Sequence, residues 1–320
     1  MKGQVLSMTL KKILCAAALS ASVFASASFA APRFSIGLVQ LVEHPSLDEV
    51  RFAILDELKA NGFGPDVVSI DYQNGQNSPS VINTICQKFV SDGVSLILPI
   101  ATPAAQCAAA ATDSIPIVFA AVSDPVAAGL VKDLEHPDRN VTGLSNAIQP
   151  AKVLDLAEEL TPGIKNYGMV YNAGEVNSVS TVKKAQAEMK KRGFAFREAV
   201  ITSSGEVATA VNSLIGKVDG FFISNDNTVA LAMTLLSEIA VEHKLPVYAA
   251  VDSLVADGAL ATAGINYTQL GRQAAQMVIR VLKGAPSADT PVEVLAKTSV
   301  VVNWHTAAAL GVDVSKYLKK

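Results

Sequence analysis

Cysteine, histidine and charge are all scarce in this chain, and each scarcity removes a class of function. Of the three cysteines, Cys15 lies in an N-terminal apolar run, which leaves Cys86 and Cys107 for the folded protein. Two cysteines and four scattered histidines show no ligand spacing, so no metal site is expected. Charged residues make up 17% of the chain and the formal net charge is −3, a balance that favours neither nucleic acid nor an anionic membrane surface. The loop after the first strand lacks the G-x-G-x-x-G of a dinucleotide site, and no cofactor is expected. Gly143-Leu144-Ser145-Asn146-Ala147 misses the nucleophile elbow at its fifth position. Glu43 and His44 are adjacent in a loop, where side chains seldom pair as acid and base. His136, His243 and His305 have no nucleophile nearby. The chain therefore reads as non-enzymatic, with no catalytic residue. It also lacks a repeat of about 20–50 residues, which excludes a solenoid.

What is present begins with an export signal. Lys11 and Lys12 precede an apolar run from Ile13 to about Phe24, and Ser28-Phe29-Ala30 has the small-residue pattern of a cleavage site. Residues 1–30 are expected to be a signal peptide cleaved near Ala30, with Met8 an alternative start to Met1. The run is too short for the roughly 20 residues of a membrane span. Cys15 lacks the small residue expected before a lipidated cysteine. The expected destination is the periplasm. About 290 residues remain, enough for two domains with real cores, and no later stretch resembles a membrane span. In an oxidising periplasm Cys86 and Cys107 could pair or stay as two buried thiols, and the sequence leaves both open.

From Phe34 onward strands and helices alternate. Phe34, Ile36 and Leu38 open a short strand that breaks at Gln40, and a helix pattern starts after Pro45. Val67–Ile70 is the next strand, followed by a polar turn over 71–77. Val94–Ile100 is apolar throughout, as a strand buried on both faces should be. Ile115–Ala121 and Asn140–Leu144 follow, with a short helix and polar loop between them. A second run of the same kind starts near Pro150, with strands at Tyr167–Tyr171, Phe196–Ile201, Gly220–Ile223 and Pro246–Ala250. A single helix is expected over Asn227–His243, and a last extended piece over Val292–Val302. Two consecutive βαβ series point to two α/β Rossmann-like lobes with parallel sheets.

Short polar residues gather where strands end: Gln40 to His44, Thr102, and Ser123-Asp124 in the first half; Asn172 to Ser178, Ser224 to Asn227, and Asp252 in the second. In open α/β sheets the ligand crevice lies beyond these ends, so the two sets are expected to face a common cleft. Thr102-Pro103 and Asn177-Ser178 also open helices, whose free N–H groups suit a carboxylate as well as ordinary capping. Glu43, Asp124, Glu175, Asp226 and Asp252 could receive an ammonium group. A zwitterionic amino acid satisfies both demands, and Tyr171, Tyr248 and Tyr267 near the rim could pack on an aromatic side chain.

QLVEHPSLDEVR, IATPAAQ, AVSDPVAAGLV, NVTGLS, YNAGEVNSV, SNDNTV and GALATAGINYTQLGRQAA stand in that order along the mature chain. Together they resemble the solute-binding proteins of ABC importers, in the family that includes aromatic amino-acid (tryptophan-type) binders. The resemblance implies a bilobal type I periplasmic-binding-protein fold with three hinge crossings. It divides the chain into lobe one, residues 31–146 plus 252–283, and lobe two, 147–251 plus 284–320. It implies ligand contacts at Gln40, Glu43, His44, Thr102, Ser123 and Asp124 from lobe one. Asn172, Glu175, Asn177, Ser178, Asn225, Asp226 and Asn227 would come from lobe two, with Asp252 at the last crossing. Two places depart from the family pattern: Asn146 stands where an aspartate is expected, and Ala250-Val251-Asp252 replaces a Gly-Glu pair. The implied function is capture of a small solute, an amino acid of the aromatic or branched-chain kind, by a monomer that delivers it to an ABC permease in the inner membrane. A ligand-sensing protein coupled to a membrane receptor, or a binder of a sugar or other small solute, uses the same fold.

Overall fold

The sheet that holds the first strand is built on chain order 2-1-3-4-5, and the second half of the chain repeats that order. The computed structural model describes residues 32–295 and 298–317; the expected signal segment lies outside the described residues. Strands β1 (Phe34–Gln40), β2 (Val68–Asn74), β3 (Leu96–Ile100), β4 (Ile117–Val122) and β5 (Val141–Ser145) pair in parallel. Their connections are α1 (Pro45–Ala60), α2 (Pro79–Ser91) and α3 (Thr102–Ala111), with irregular turns between β4 and β5 in place of the expected short helix. Proline occupies the first turn of all three helices, where its missing N–H costs nothing and its fixed φ starts the helix. β3 and β4 are buried along their whole length, which explains their unbroken apolar sequence.

The second sheet takes β6 (Asn166–Asn172), β7 (Ala195–Ile201), β8 (Gly220–Ile223), β9 (Val247–Ala249) and β10 (Ala261–Ile265). Its helices are α4 (Pro150–Leu160), α5 (Val176–Lys191), α6 (Val207–Leu214), α7 (Asn227–Ala230), α8 (Met233–Glu242) and α9 (Ser253–Ala256). The chain then returns to the first sheet through α10 (Tyr267–Leu282), which packs on α1, and β11 (Glu293–Val294), which pairs in parallel with β5. It ends in the second sheet with β12 (Thr298–Val302), antiparallel to β10, and α11 (Trp304–Leu310). Each sheet thus has six strands, in the orders β11-β5-β4-β3-β1-β2 and β12-β10-β9-β8-β6-β7. The chain passes from one to the other three times: after Ser145, between Ile265 and Tyr267, and between Val294 and Thr298.

Several expectations need correction. β10 lies in the second sheet, so the expected return to lobe one at residue 252 comes instead at the start of α10. Residues 293–294 belong to the first sheet, not to lobe two, because β11 completes the edge beside β5. β2 continues through Asp71–Asn74, where a turn was expected; as an edge strand it tolerates polar side chains while its backbone pairs with β1 as far as Gln40↔Asn74. The helix expected over 227–243 is two helices, interrupted at Leu231 and Ala232. Cys86, buried between α2 and its neighbours, and the half-buried Cys107 are both free thiols. Burial, with a smaller contribution from Cys107, pushes Cys86 up to about 12.

One close approach fixes the returning segment. A Cβ added at Gly271 in α10 would lie 2.5 Å from the Val50 carbonyl oxygen and 2.7 Å from Ala53 Cβ on α1. The two helix backbones are in contact there, and only glycine allows it. Gly271→Ala is expected to force α10 off α1 and to cost about 1–3 kcal/mol. Urea unfolding followed by circular dichroism reads this directly; an unchanged midpoint would show that the helices have room to separate.

Candidate functional site

The carboxyl ends of β1, β3 and β4 face those of β6, β8 and β9, and the two lobes meet in direct hydrogen bonds. Between them lies a tight gap with a cavity volume of about 10 Å³, lined by His44, Ser46, Leu47, Asn225, Asp226, Asn227, Ala230, Val251, Leu254 and Tyr267. Four of these residues are polar strand-end residues expected from sequence: His44, Asn225, Asp226 and Asn227. Leu47 of α1, Ala230 of α7, Leu254 of α9 and Val251, between β9 and α9, give the space an apolar wall that was not anticipated, because in sequence they look like ordinary core residues.

The polarity of the site is set from Glu175, at the start of α5. Its carboxylate is 4% exposed and accepts five hydrogen bonds: from Asn177 Nδ2 (3.1 Å), Asn227 N (3.0 Å), Asn227 Nδ2 (2.6 Å), Thr228 N (2.9 Å) and Thr228 Oγ1 (2.8 Å). A carboxylate oxygen accepts, so the Asn227 amide must turn its NH₂ toward Glu175 and its Oδ1 away. That Oδ1 meets His44 Nε2 at 3.3 Å across the lobes. His44 must therefore donate from Nε2, which leaves its neutral ring with Nδ1 as a bare acceptor. Nδ1 is buried and has no partner in the protein. Burial holds the His44 pKa below its ordinary value, outweighing the Asn227 bond and the charges of Asp48 and Glu175, and so favours the neutral ring.

Asp226 lies beside this acceptor and is 1% exposed. Its Oδ1 caps α7 by accepting from Val229 N at 2.8 Å, and its Oδ2 accepts from Asn172 N at 2.6 Å. The Ser178 hydroxyl also hydrogen-bonds the carboxylate, which leaves it one acceptor site for a further donor. Burial first, and the nearby Glu175 charge second, raise the Asp226 pKa well above the usual carboxylate range. Asn172 itself is engaged locally, donating from Nδ2 to Thr228 Oγ1 at 2.9 Å. Asn177 donates to Asn225 O at 2.9 Å while its buried Oδ1 is unpartnered. Ser178 shares a hydrogen bond with Ser224 at 2.8 Å and is fully buried.

On the first lobe, Ser123 Oγ donates to Asn146 Oδ1 at 3.0 Å and accepts from Asn225 Nδ2 of the facing lobe. Asn146 Nδ2 passes the chain on to Tyr267 Oη at 2.8 Å. A second hydroxyl contact joins the lobes between Ser253 Oγ and Ser46 Oγ at 2.6 Å. Thr102, at the start of α3, is buried with Oγ1 unpartnered. It follows Ala101, whose φ of 84° is strained for a residue with a Cβ.

Other expected contacts are placed elsewhere. Gln40 is fully buried but spends its amide on Val42 O, Asp48 and Arg51, so it braces the loop rather than opening into the space. Glu43 is exposed and accepts from Tyr72 Oη at 2.7 Å. Asp124 reaches across to Ser180 and Lys184 on α5. Asp252 caps α9 and accepts from Asn266 Nδ2 at 3.0 Å at the hinge; burial and the Glu49 charge push it up to about 6. Tyr171 bonds Glu198, and Tyr248 sits in the second core against Thr161, which leaves Tyr267 as the tyrosine that lines the space. Among the described residues no three His, Cys, Asp or Glu side chains cluster as metal ligands, and no helix is long and apolar enough to cross a membrane.

A family model described as ABC transporter substrate binding protein matches residues 35–320. A tyrosine-binding protein of Clostridioides difficile (strain R20291) is 42% identical over 291 residues, spanning 89% of this chain and 84% of the relative. The solved ABC domain from Streptococcus pneumonia in complex with L-Trp is 36% identical and overlays with a TM-score of 0.86, covering 88% of this chain and 96% of that one. A ligand-free, open substrate binding protein with adhesive properties from Clostridium difficile is 43% identical, yet overlays at 0.69 over 88% of this chain and 95% of that one. The lobe arrangement here is thus nearer to that of the L-Trp complex than to the open protein. The bilobal α/β architecture is the type I periplasmic-binding-protein fold, and the family and these relatives are substrate-binding proteins, not enzymes. The chain belongs to the ABC transporter substrate binding protein family.

Proposed function

We propose that this protein binds an aromatic amino acid between its lobes, in the periplasm, and delivers it as a monomer to an ABC permease of the inner membrane. The observation that carries the reading is the pairing of an apolar wall with groups that can only accept. When the lobes part and widen the gap, Leu47, Ala230, Val251 and Leu254 offer an apolar wall to an aromatic body, while His44 Nδ1 and the Asp226 carboxylate call for N–H or O–H donors. An aromatic amino acid offers both, through its ring and its ammonium group. The names of two relatives, a tyrosine binder and an L-Trp complex, support the same class. The charged and apolar pattern of residues 1–30 supports export. Thr102 Oγ1 and Asn177 Oδ1, buried and unpartnered at two helix starts, are further candidate contacts.

Calorimetry or thermal shift against the twenty amino acids and a sugar panel tests the class. L-tyrosine and L-tryptophan are expected to raise the melting temperature; a sugar that does so while every amino acid leaves it unchanged would overturn the reading.

Two variants separate the expected contacts. His44→Leu is expected to weaken binding about ten- to a hundredfold with the fold intact, because a buried ligand donor loses its acceptor. Glu43→Ala is expected to change affinity less than about twofold, since Glu43 faces solvent beside Tyr72. Isothermal titration of both, with circular dichroism as the fold check, would expose the assignment as mistaken if Glu43→Ala were the weaker binder.

Acid should also weaken binding. A ligand ammonium favours ionised Asp226, so the carboxyl has a lower pKa in the complex than in the free protein, where burial raises it. Affinity is therefore full above the raised free-protein value and falls as pH drops through it. Protonation of His44, at a pH below its ordinary range, converts the Nδ1 acceptor to a donor and acts in the same direction. Affinity that stays level from pH 8 to pH 5 would remove Asp226 from the ammonium site.

A further inference from the structure

Asp124 was expected to meet the ligand, and the geometry gives it a different task. Its Oδ1 accepts from Ala127 N at 3.1 Å, which anchors the carboxylate in its own turn after β4. Its Oδ2 crosses to the other lobe, where Ser180 Oγ donates at 2.7 Å and Lys184 Nζ at 2.9 Å. Ser180 and Lys184 are four residues apart on α5 and so share one face of that helix. None of the three lines the space between the lobes. The Lys184 side chain is 49% exposed and that of Asp124 22%, which places the pair at the rim. Burial tends to raise the Asp124 pKa, but the bonds from Ser180 and Lys184 outweigh it and hold the carboxyl below its ordinary value. The preceding residue, Ser123, clasps Asn225 of the same facing lobe.

We infer that Asp124, Ser180 and Lys184 form a closure latch, which sets how long a bound solute is held without touching it. Contacts made only when the lobes meet add to the barrier for opening and leave the encounter of solute with the open form unaltered. The latch therefore acts on the dissociation rate. Its ionic half is solvent-exposed, so salt screens it, whereas the buried Ser123–Asn225 and His44–Asn227 contacts are screened much less. Solute release from this protein is then sensitive to ionic strength through one ion pair. The inference about residence time rests on the proposed reading that the solute sits between the lobes; the inference about closure does not.

The test compares the full-length mature protein with Lys184→Ala and with Ser180→Ala/Lys184→Ala, which leave the Asp124 turn intact. In stopped-flow release of L-tyrosine or L-tryptophan, the single variant is expected to raise the dissociation rate about 3- to 10-fold and to change the association rate less than about twofold. The wild-type dissociation rate should rise between 20 mM and 500 mM NaCl, while that of Lys184→Ala stays level. Small-angle scattering without added solute gives the second arm: the wild-type radius of gyration should grow with salt toward a value that Lys184→Ala already has at low salt. If neither amino acid binds the wild type, the proposed function fails and scattering alone decides the latch. Equal radii at every salt concentration, or equal dissociation rates with equal salt dependence, would overturn it. Circular dichroism melts confirm that each variant is folded.

Discussion

Glu175 brings a carboxylate into a place where water cannot reach it, and the binding side of the second lobe is arranged around satisfying it. An unpaired buried carboxylate is costly enough to unfold or to protonate, so the segment Asn227-Thr228 must present its backbone and side-chain donors to it. That demand orients the Asn227 amide. The amide in turn selects the hydrogen-bearing nitrogen of His44 on the facing lobe. A single acceptor-only group thereby dictates, two residues away and across a domain boundary, that His44 keeps Nδ1 as a bare acceptor. Preorganisation of this kind keeps the ordering cost of recognition out of the binding step.

The hydrogen bonds between the two lobes are few and of moderate strength. Besides His44–Asn227, the contacts across the seam include Ser123–Asn225, Ser46–Ser253 and the Asp124 cluster, hydroxyls and amides with one exposed ion pair. Neutral hydrogen bonds of this sort are each worth about 0.5–1.5 kcal/mol net. A handful of them suits reversible closure. Apolar contact crosses the seam as well, in one buried cluster that includes Leu47 of the first lobe and Val251 and Leu254 of the second.

Much of the fold was legible because parallel sheets announce themselves. Val94–Ile100 and Ile115–Ala121 are apolar without alternation, and prolines mark helix starts at Pro45, Pro79, Pro103 and Pro150. Edge strand β2 was shortened because polar Asp71–Asn74 looks like a turn when its partner is unknown. The small returning strand β11 was misplaced because two residues carry no periodicity. In the site, position was legible and commitment was not. Strand ends identified where polar groups gather, yet Asp124, Glu175 and Asp226 are equivalent in sequence. Only the partners distinguish them: Glu175 is fully satisfied within its lobe, Asp124 faces a lysine across the seam, and Asp226 is bonded within its lobe while lining the space.

That division of labour among acids matters physically because the three respond to different variables. Glu175 is enclosed by donors of its own lobe, and its charge is felt by both His44 and Asp226. Asp226 has its charge disfavoured by burial and by Glu175, so its protonation couples to anything that brings a positive group beside it. Asp124 is anchored by one oxygen and exposed enough on the other side for salt to reach its partner. On the proposed reading, recognition is tied to pH and closure to ionic strength, through carboxylates that share neither partners nor element. A protein exported as proposed meets wide swings in both variables. Separating the two sensitivities lets release respond to one without altering which solute is read, an arrangement that one acid doing both jobs could not provide.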